Sequence, residues 1–398
     1  MAKAKVKAKL PALKVKDGDV LLLVGTMKGA FLLRSDRARR RWQRSGPHFA
    51  GRSVYAIAYD GRNERHRIWA APKSLHWGAE LVSSDDFGGR WTRPEVPRIS
   101  FPKETGASLA HVWQIQPGLD DEPERLFAGV EPSALFESRD GGESWSLNEG
   151  LWNHPHRSKW MPGGGGLCLH TILTDPARRE RLTIATSTGG VYRTDDGGES
   201  WRPRNRGIKA YFLKEPEPEF GQCVHKVVRH PSRPDRLFLQ HHFGIYRSDD
   251  GGDSWREASK GVPSDFGFPV AMHPHDPETV YVLPLKADEF RCPPDGKLRV
   301  YRSRDGARSW KPLTRGLPQE DCFDTVLRDA MTTDEENPAG VYFGTRNGRL
   351  YGSRDEGGSW TAIEDSLPPI TCVRAVTVRI ADRRLRAPAR KTRRRKAA

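Results

Sequence analysis

Three histidines of this 398-residue chain stand in closely similar settings: LAHVW at 109–113, CLHTI at 168–172 and CVHKV at 223–227. Three neutral imidazoles at one equivalent level can ligate a divalent transition metal such as zinc, manganese or iron. They would leave a coordination position open for water or substrate. His111, His170 and His225 are therefore the candidate metal ligands. The same alignment brings Arg374 (CVRAV), Tyr55 (SVYAI), Phe268 and Arg328 (TVLRD) to that level. Two guanidinium groups, Arg328 and Arg374, suit bidentate capture of a carboxylate or phosphate. Ordinary packing between repeats is the competing use of such positions. Cys168, Cys223 and Cys372, each two residues earlier, are small apolar packing groups or soft ligands.

A second concentration of chemistry is the segment WNHPHRSKWMPGGGG at 152–166. His154, His156, Arg157, Lys159 and Trp160, followed by four glycines, read as a mobile flap carrying ligand-contacting groups, or else as a plain surface loop. It is not a phosphate loop, because no Gly-Lys-Ser/Thr follows. His241 and His242 complete a set of nine histidines, out of 13, that map to one side of the repeats. Glycoside chemistry would need two carboxylates facing each other across a cleft. Glu131, Asp288, Glu289 and Asp329 are the candidates, and their sequence spacing does not test their separation.

The elements that must position these groups are repeats. SDDFGGRW, SRDGGESW, TDDGGESW, SDDGGDSW, SRDGARSW and SRDEGGSW begin at Ser84, Ser138, Thr194, Ser248, Ser303 and Ser353, 50 to 56 residues apart. An eroded seventh copy keeps only Ser35 and Trp42. Each unit reads as four short strands with turn signals, the signature of a propeller blade. The expected fold is all-β, a seven-bladed β-propeller over 18–382. The first repeat lacks an innermost strand, and ITCVRAVTVRI at 370–380 supplies one, so the C-terminal strand should complete blade one and remove the open edges. In the motif, Ser or Thr and Asp can satisfy turn N–H groups, while Trp buries apolar area between blades. Calcium binding is the rival reading, but one carboxylate per turn is few ligands for that ion.

The motif resembles the Asp-box, or BNR repeat, of the sialidase-like superfamily and of related propellers such as sortilins and photosystem assembly factors. That resemblance implies that the boxes lie on the face away from the functional funnel. It implies less about activity, since binding proteins share the box. A sialidase would need an Arg cluster, a Tyr nucleophile with a Glu partner and an Asp acid-base. The family's Arg-Ile-Pro signature is unmatched, the nearest segment being PRIS at 97–100, and seven blades exceed the six of sialidase domains.

The formal charge of +15 lies in the ends of the chain. Fifteen basic residues in the acid-free stretches 1–16 and 383–398 account for it, leaving 51 basic and 51 acidic residues elsewhere. Both stretches are poor in apolar residues and are expected to be disordered tails, solvated or in contact with nucleic acid or an anionic surface. No apolar run is long enough for a membrane helix or a signal core, and five cysteines, an odd number, suit reduced thiols. The expectation is a cytoplasmic propeller that binds a small anionic ligand or glycan at a His-rich funnel, with metal-assisted hydrolysis or elimination as its chemistry. A glycosyl hydrolase of exo-sialidase type and a non-catalytic interaction scaffold are the alternatives.

Overall fold

The computed structural model describes residues 12–380. Seven antiparallel four-stranded sheets follow one another along the chain. Their innermost strands, for blades one to seven, are Ile370–Thr377, Ser53–Asp60, His111–Pro117, Leu169–Thr174, Val224–His230, Gly267–Met272 and Met331–Thr333. Each touches the next, and the last touches the first, so the ring closes.

Closure takes the form expected from the repeats. Ile370–Thr377 pairs antiparallel with Val20–Thr26, setting Leu23 opposite Arg374 and Gly25 opposite Cys372. Gly18 N–H donates to Val378 O, and Val378 N–H to Asp19 O, both at 2.8 Å, so the clasp continues past the strand ends. The basic stretches expected as tails lie outside the described residues, except for 12–17. That short piece lies against the ring rather than free of it: Leu13 is buried among Leu21, Leu23 and Val82.

The apolar side chains gather between blades rather than at one centre. Val20–Thr26 is buried at every position because its sheet is covered on both faces. Its Leu22 and Val24 belong to a cluster that runs through Tyr281 and Phe343 of blades six and seven. A continuous apolar run therefore marks a strand enclosed by neighbouring sheets.

The repeated turn carries one hydrogen-bond pattern in six copies. The Ser or Thr hydroxyl donates to the Asp two residues on, at 2.6–2.9 Å. It accepts from the backbone N–H four residues on, at 2.7–2.9 Å. The Asp then accepts from the N–H four residues beyond itself, at 2.8–3.0 Å. In the eroded copy Arg37 occupies the Asp place, and the buried Ser35 hydroxyl has no hydrogen-bond partner among the described residues. The fourth residue after the hydroxyl is Gly in five copies, with φ between 86° and 106°, whereas Ala307 holds φ 65° in the sixth. A side chain there sits in a disfavoured left-handed conformation.

The motif tryptophans tie blades together. Trp255 Nε1 donates to Arg204 O of the preceding blade at 2.8 Å, and Trp310 Nε1 to Ala258 O at 2.9 Å. Among the described residues no helix is long and apolar enough to cross a membrane. All five cysteines are unpaired.

Candidate functional site

The innermost strands begin at one face, and there they surround a cavity of about 400 Å³. Every blade contributes to its wall. Thr371, Tyr55, Trp113 and Ser187 come from blades one to four, while blades five to seven supply most of the polar groups. The repeat places each strand start at the same height, so residues far apart in sequence meet around one axis.

Three arginines give the cavity its charge. Arg328 precedes the innermost strand of blade seven, and its guanidinium lies 5.4 Å from the Trp113 ring centre. One of its nitrogens also donates to Cys168 Sγ at 3.4 Å. Arg291, on the insertion between the second and third strands of blade six, lies 5.3 Å from the Phe268 ring. Its Nε donates to Asp288 O at 3.0 Å. Arg346 follows the second strand of blade seven, and its buried Nη1 has no hydrogen-bond partner among the described residues. None of the three forms an ion pair among the described residues.

The channel floor is an ionic cluster. Asp329 Oδ1 accepts from Lys226 Nζ at 2.7 Å and from Arg374 at 2.6 Å. Burial alone would push the Asp329 carboxyl up, but Lys226 and Arg374 hold it well below the usual carboxylate range. The cluster keeps a net positive charge beneath the cavity. Of the two carboxylates on the wall, Asp329 is thus committed, and Asp288 lies at the exposed mouth, 3.4 Å from His242 Nε2.

The structure divides the residues expected to act. Arg328, Tyr55, His225 and His242 line the cavity. Arg374 shares their level in the repeat but is held by Asp329 and borders a depression at the opposite end of the channel. His170 is fully buried, with Nδ1 against Thr171 Oγ1 and Nε2 against Val224 O of blade five, both at 3.0 Å. His111 bonds Glu131 at 3.0 Å and lies 3.0 Å from Lys73 Nζ, while Glu131 also accepts from Trp113 Nε1 at 3.1 Å. Burial pushes the Glu131 carboxyl up, but His111 and Trp113 outweigh it and lower it. His111, His170 and His225 therefore do not form one ligand set, because each is drawn to a different blade contact. Among the described residues, the ligand atoms of Cys223, His225 and His242 do come together, within 4.8 Å of one another.

The expected flap is also corrected. Trp160 is buried and donates to Tyr192 Oη at 3.1 Å, and His156 Nδ1 meets the same hydroxyl at 3.1 Å. His154 packs on both rings, Arg157 lies over Trp152, and Lys159 lies over Phe220. These side chains anchor the segment on blade four. Gly163, Gly164 and Gly165 line the cavity instead. His241 is buried beneath the funnel and accepts from Phe243 N–H at 3.1 Å.

No protein-family model matches the chain. It is 27% identical over 219 residues to an oligoxyloglucan-reducing end-specific xyloglucanase of Emericella nidulans, which covers 53% of this chain and 26% of that enzyme. It is 22% identical over 283 residues to the photosystem II assembly lipoprotein Ycf48 of a Synechococcus species, covering 70% of this chain and 68% of the relative. Among solved structures, a GH74 enzyme from Niastella koreensis superimposes with a TM-score of 0.53 at 12% identity, covering 92% of this chain and 69% of that one. An ancestral GH74 enzyme gives 0.52 at 16% identity, covering 78% and 38%. The chain thus spans about a quarter of the xyloglucanase it matches, and the structural likeness is one of fold. Fold and site together define a seven-bladed β-propeller with a basic pocket at one end of its channel.

Proposed function

We propose that this propeller binds a small anionic ligand, bearing a carboxylate or phosphate, in the central pocket. The observation that carries the reading is that Arg291, Arg328 and Arg346 line one cavity without an ion pair among the described residues. Asp329, the only buried wall carboxylate among the described residues, is already neutralised by two cations. A bound anion would supply the missing acceptors at little competing cost. The five unpaired thiols fit a reducing compartment such as the cytoplasm.

A glycosyl-hydrolase-like reading stands second. Its support is the likeness to proteins named as xyloglucanases and the exposed aromatic rings beside the pocket: Phe212 lies 5.9 Å from the His242 ring, and Phe290 adjoins Arg291. Such rings can stack on sugar faces. Among the described residues a pair of free carboxylates is not gathered at this cavity, which favours binding over glycoside cleavage there.

A thermal-shift screen separates the two. Citrate, phosphate and uronic-acid oligosaccharides should raise the melting temperature at constant ionic strength, and neutral xyloglucan oligosaccharides should not. The reverse pattern would remove the anionic reading.

A further inference from the structure

We propose that Cys223, His225 and His242 form a three-ligand transition-metal site of the zinc class on the wall of the pocket. One ligand atom from each lies within 4.8 Å of the others. Cys223 Sγ is 3.6 Å from His225 Nε2. Usual zinc–sulfur and zinc–nitrogen lengths at a tetrahedral angle require a separation of about 3.6 Å between those atoms. The spacing therefore admits a metal without rearranging this pair.

The backbone prepares the three groups. Cys223 immediately precedes the innermost strand of blade five, and His225 is the extra residue at the register shift between Val224 and Lys226, where a bulge re-aims its side chain. The adjoining strand brings His242 alongside, and His242 N–H donates to Cys223 O at 3.1 Å. His225 Nδ1 meets Gly267 O at 2.5 Å, and only a protonated Nδ1 can donate to that carbonyl. The neutral ring then turns its Nε2 lone pair toward Cys223, as ligating imidazoles do when a carbonyl holds the other nitrogen. Asp288, 3.4 Å from His242 Nε2, stands as an outer carboxylate to the second imidazole.

One thiolate and two imidazoles select a borderline metal such as zinc over manganese, which favours oxygen ligands. Three protein ligands leave a fourth position, and all three residues border the cavity that Arg291 and Arg328 line. A metal there would present its open position to a ligand held by the arginines. Binding requires Cys223 to release its thiol proton to solvent. The site does not depend on the anion reading, since its ligands are separate from the arginines.

The test is metal titration of the full chain after chelator treatment, with zinc followed by elemental analysis and cobalt(II) by absorption. The expected result is one equivalent of metal and a thiolate-to-cobalt charge-transfer band. Cys223→Ser should abolish that band and weaken zinc by more than the roughly 10- to 100-fold cost of losing an outer partner. Asp288→Asn should fall within that range. His242→Gln, at a partly buried position, repeats the ligand test should the serine variant not fold. Substoichiometric metal, or binding unchanged in folded Cys223→Ser or His242→Gln, would overturn the site and leave Cys223 and His225 as a thiol–imidazole hydrogen bond. Phosphate binding to the metal-free protein, measured by calorimetry, reads the arginine pocket independently.

Discussion

Lys226 of blade five and Asp329, which leads into blade seven, meet across the channel at 2.7 Å, although their blades are not neighbours in the ring. Arg374 of blade one joins the same carboxylate oxygen at 2.6 Å. This contact closes the pocket from below and fixes the sign of the field inside it.

Asp329→Asn should therefore be strongly destabilising, since it leaves the buried Lys226 and the partly buried Arg374 without their counter-charge. Breaking a buried pair by removing one partner costs about 3–5 kcal/mol. Denaturant unfolding of the variant should show a loss of that size, and a loss below about 1 kcal/mol, the exposed-pair range, would mean that the contact is not held in solution.

The repeated turns set the acid stability. Burial pushes the Asp140 carboxyl up, but the Ser144 hydroxyl and N–H, the Ser138 hydroxyl and the Glu143 N–H bring it down to about 2. Asp196 and Asp305 also lie at about 2, for the same reasons. An unfolded Asp titrates near 3.9, so each carboxylate contributes stability that is present above about pH 4 and lost as pH falls toward 2. Unfolding free energy measured across that window should drop, and the triple variant D140A/D196A/D305A should flatten the drop. An equally steep fall in the variant would place the acid sensitivity elsewhere.

Trp255→Ala tests the tie between blades. It removes a buried indole and its hydrogen bond to Arg204 O. A loss of about 3–5 kcal/mol is expected from the cavity. Because the seven sheets share their interfaces, unfolding followed by Trp fluorescence and by circular dichroism should shift together; separate transitions would show that blades four and five melt alone.

Much of the architecture is legible in the sequence. The Ser-to-Trp turn fixes the period, and the missing inner strand of the first repeat points directly to 370–380. The site was legible only in part. Alignment gives the height of a side chain along the channel but not its neighbours: Arg328 and Arg374 share a level, yet only Arg374 meets Asp329. His170 looked equivalent to His225, but Thr171 and Val224 absorb both of its ring nitrogens. Trp160 and His156 looked like flap groups because no periodicity in that segment announces Tyr192 as their anchor. Arg291 is not legible in the sequence because it lies in a non-repeating insertion, where only the neighbouring Asp288 and Glu289 fit a chemical pattern. Its proximity to Asp288, already a candidate, was the one available signal.

The most direct measurement is isothermal titration of the metal-free protein with citrate and with phosphate, for the wild type, Arg328→Ala and Arg346→Ala, at two salt concentrations. The account predicts saturable one-site binding that weakens about 10-fold or more in each variant, the scale of a charge-assisted hydrogen bond of roughly 1.5–3 kcal/mol, and falls only modestly with salt because the arginines are partly enclosed. No binding by the wild type, or affinity unchanged by both substitutions, would contradict an arginine-lined anion pocket.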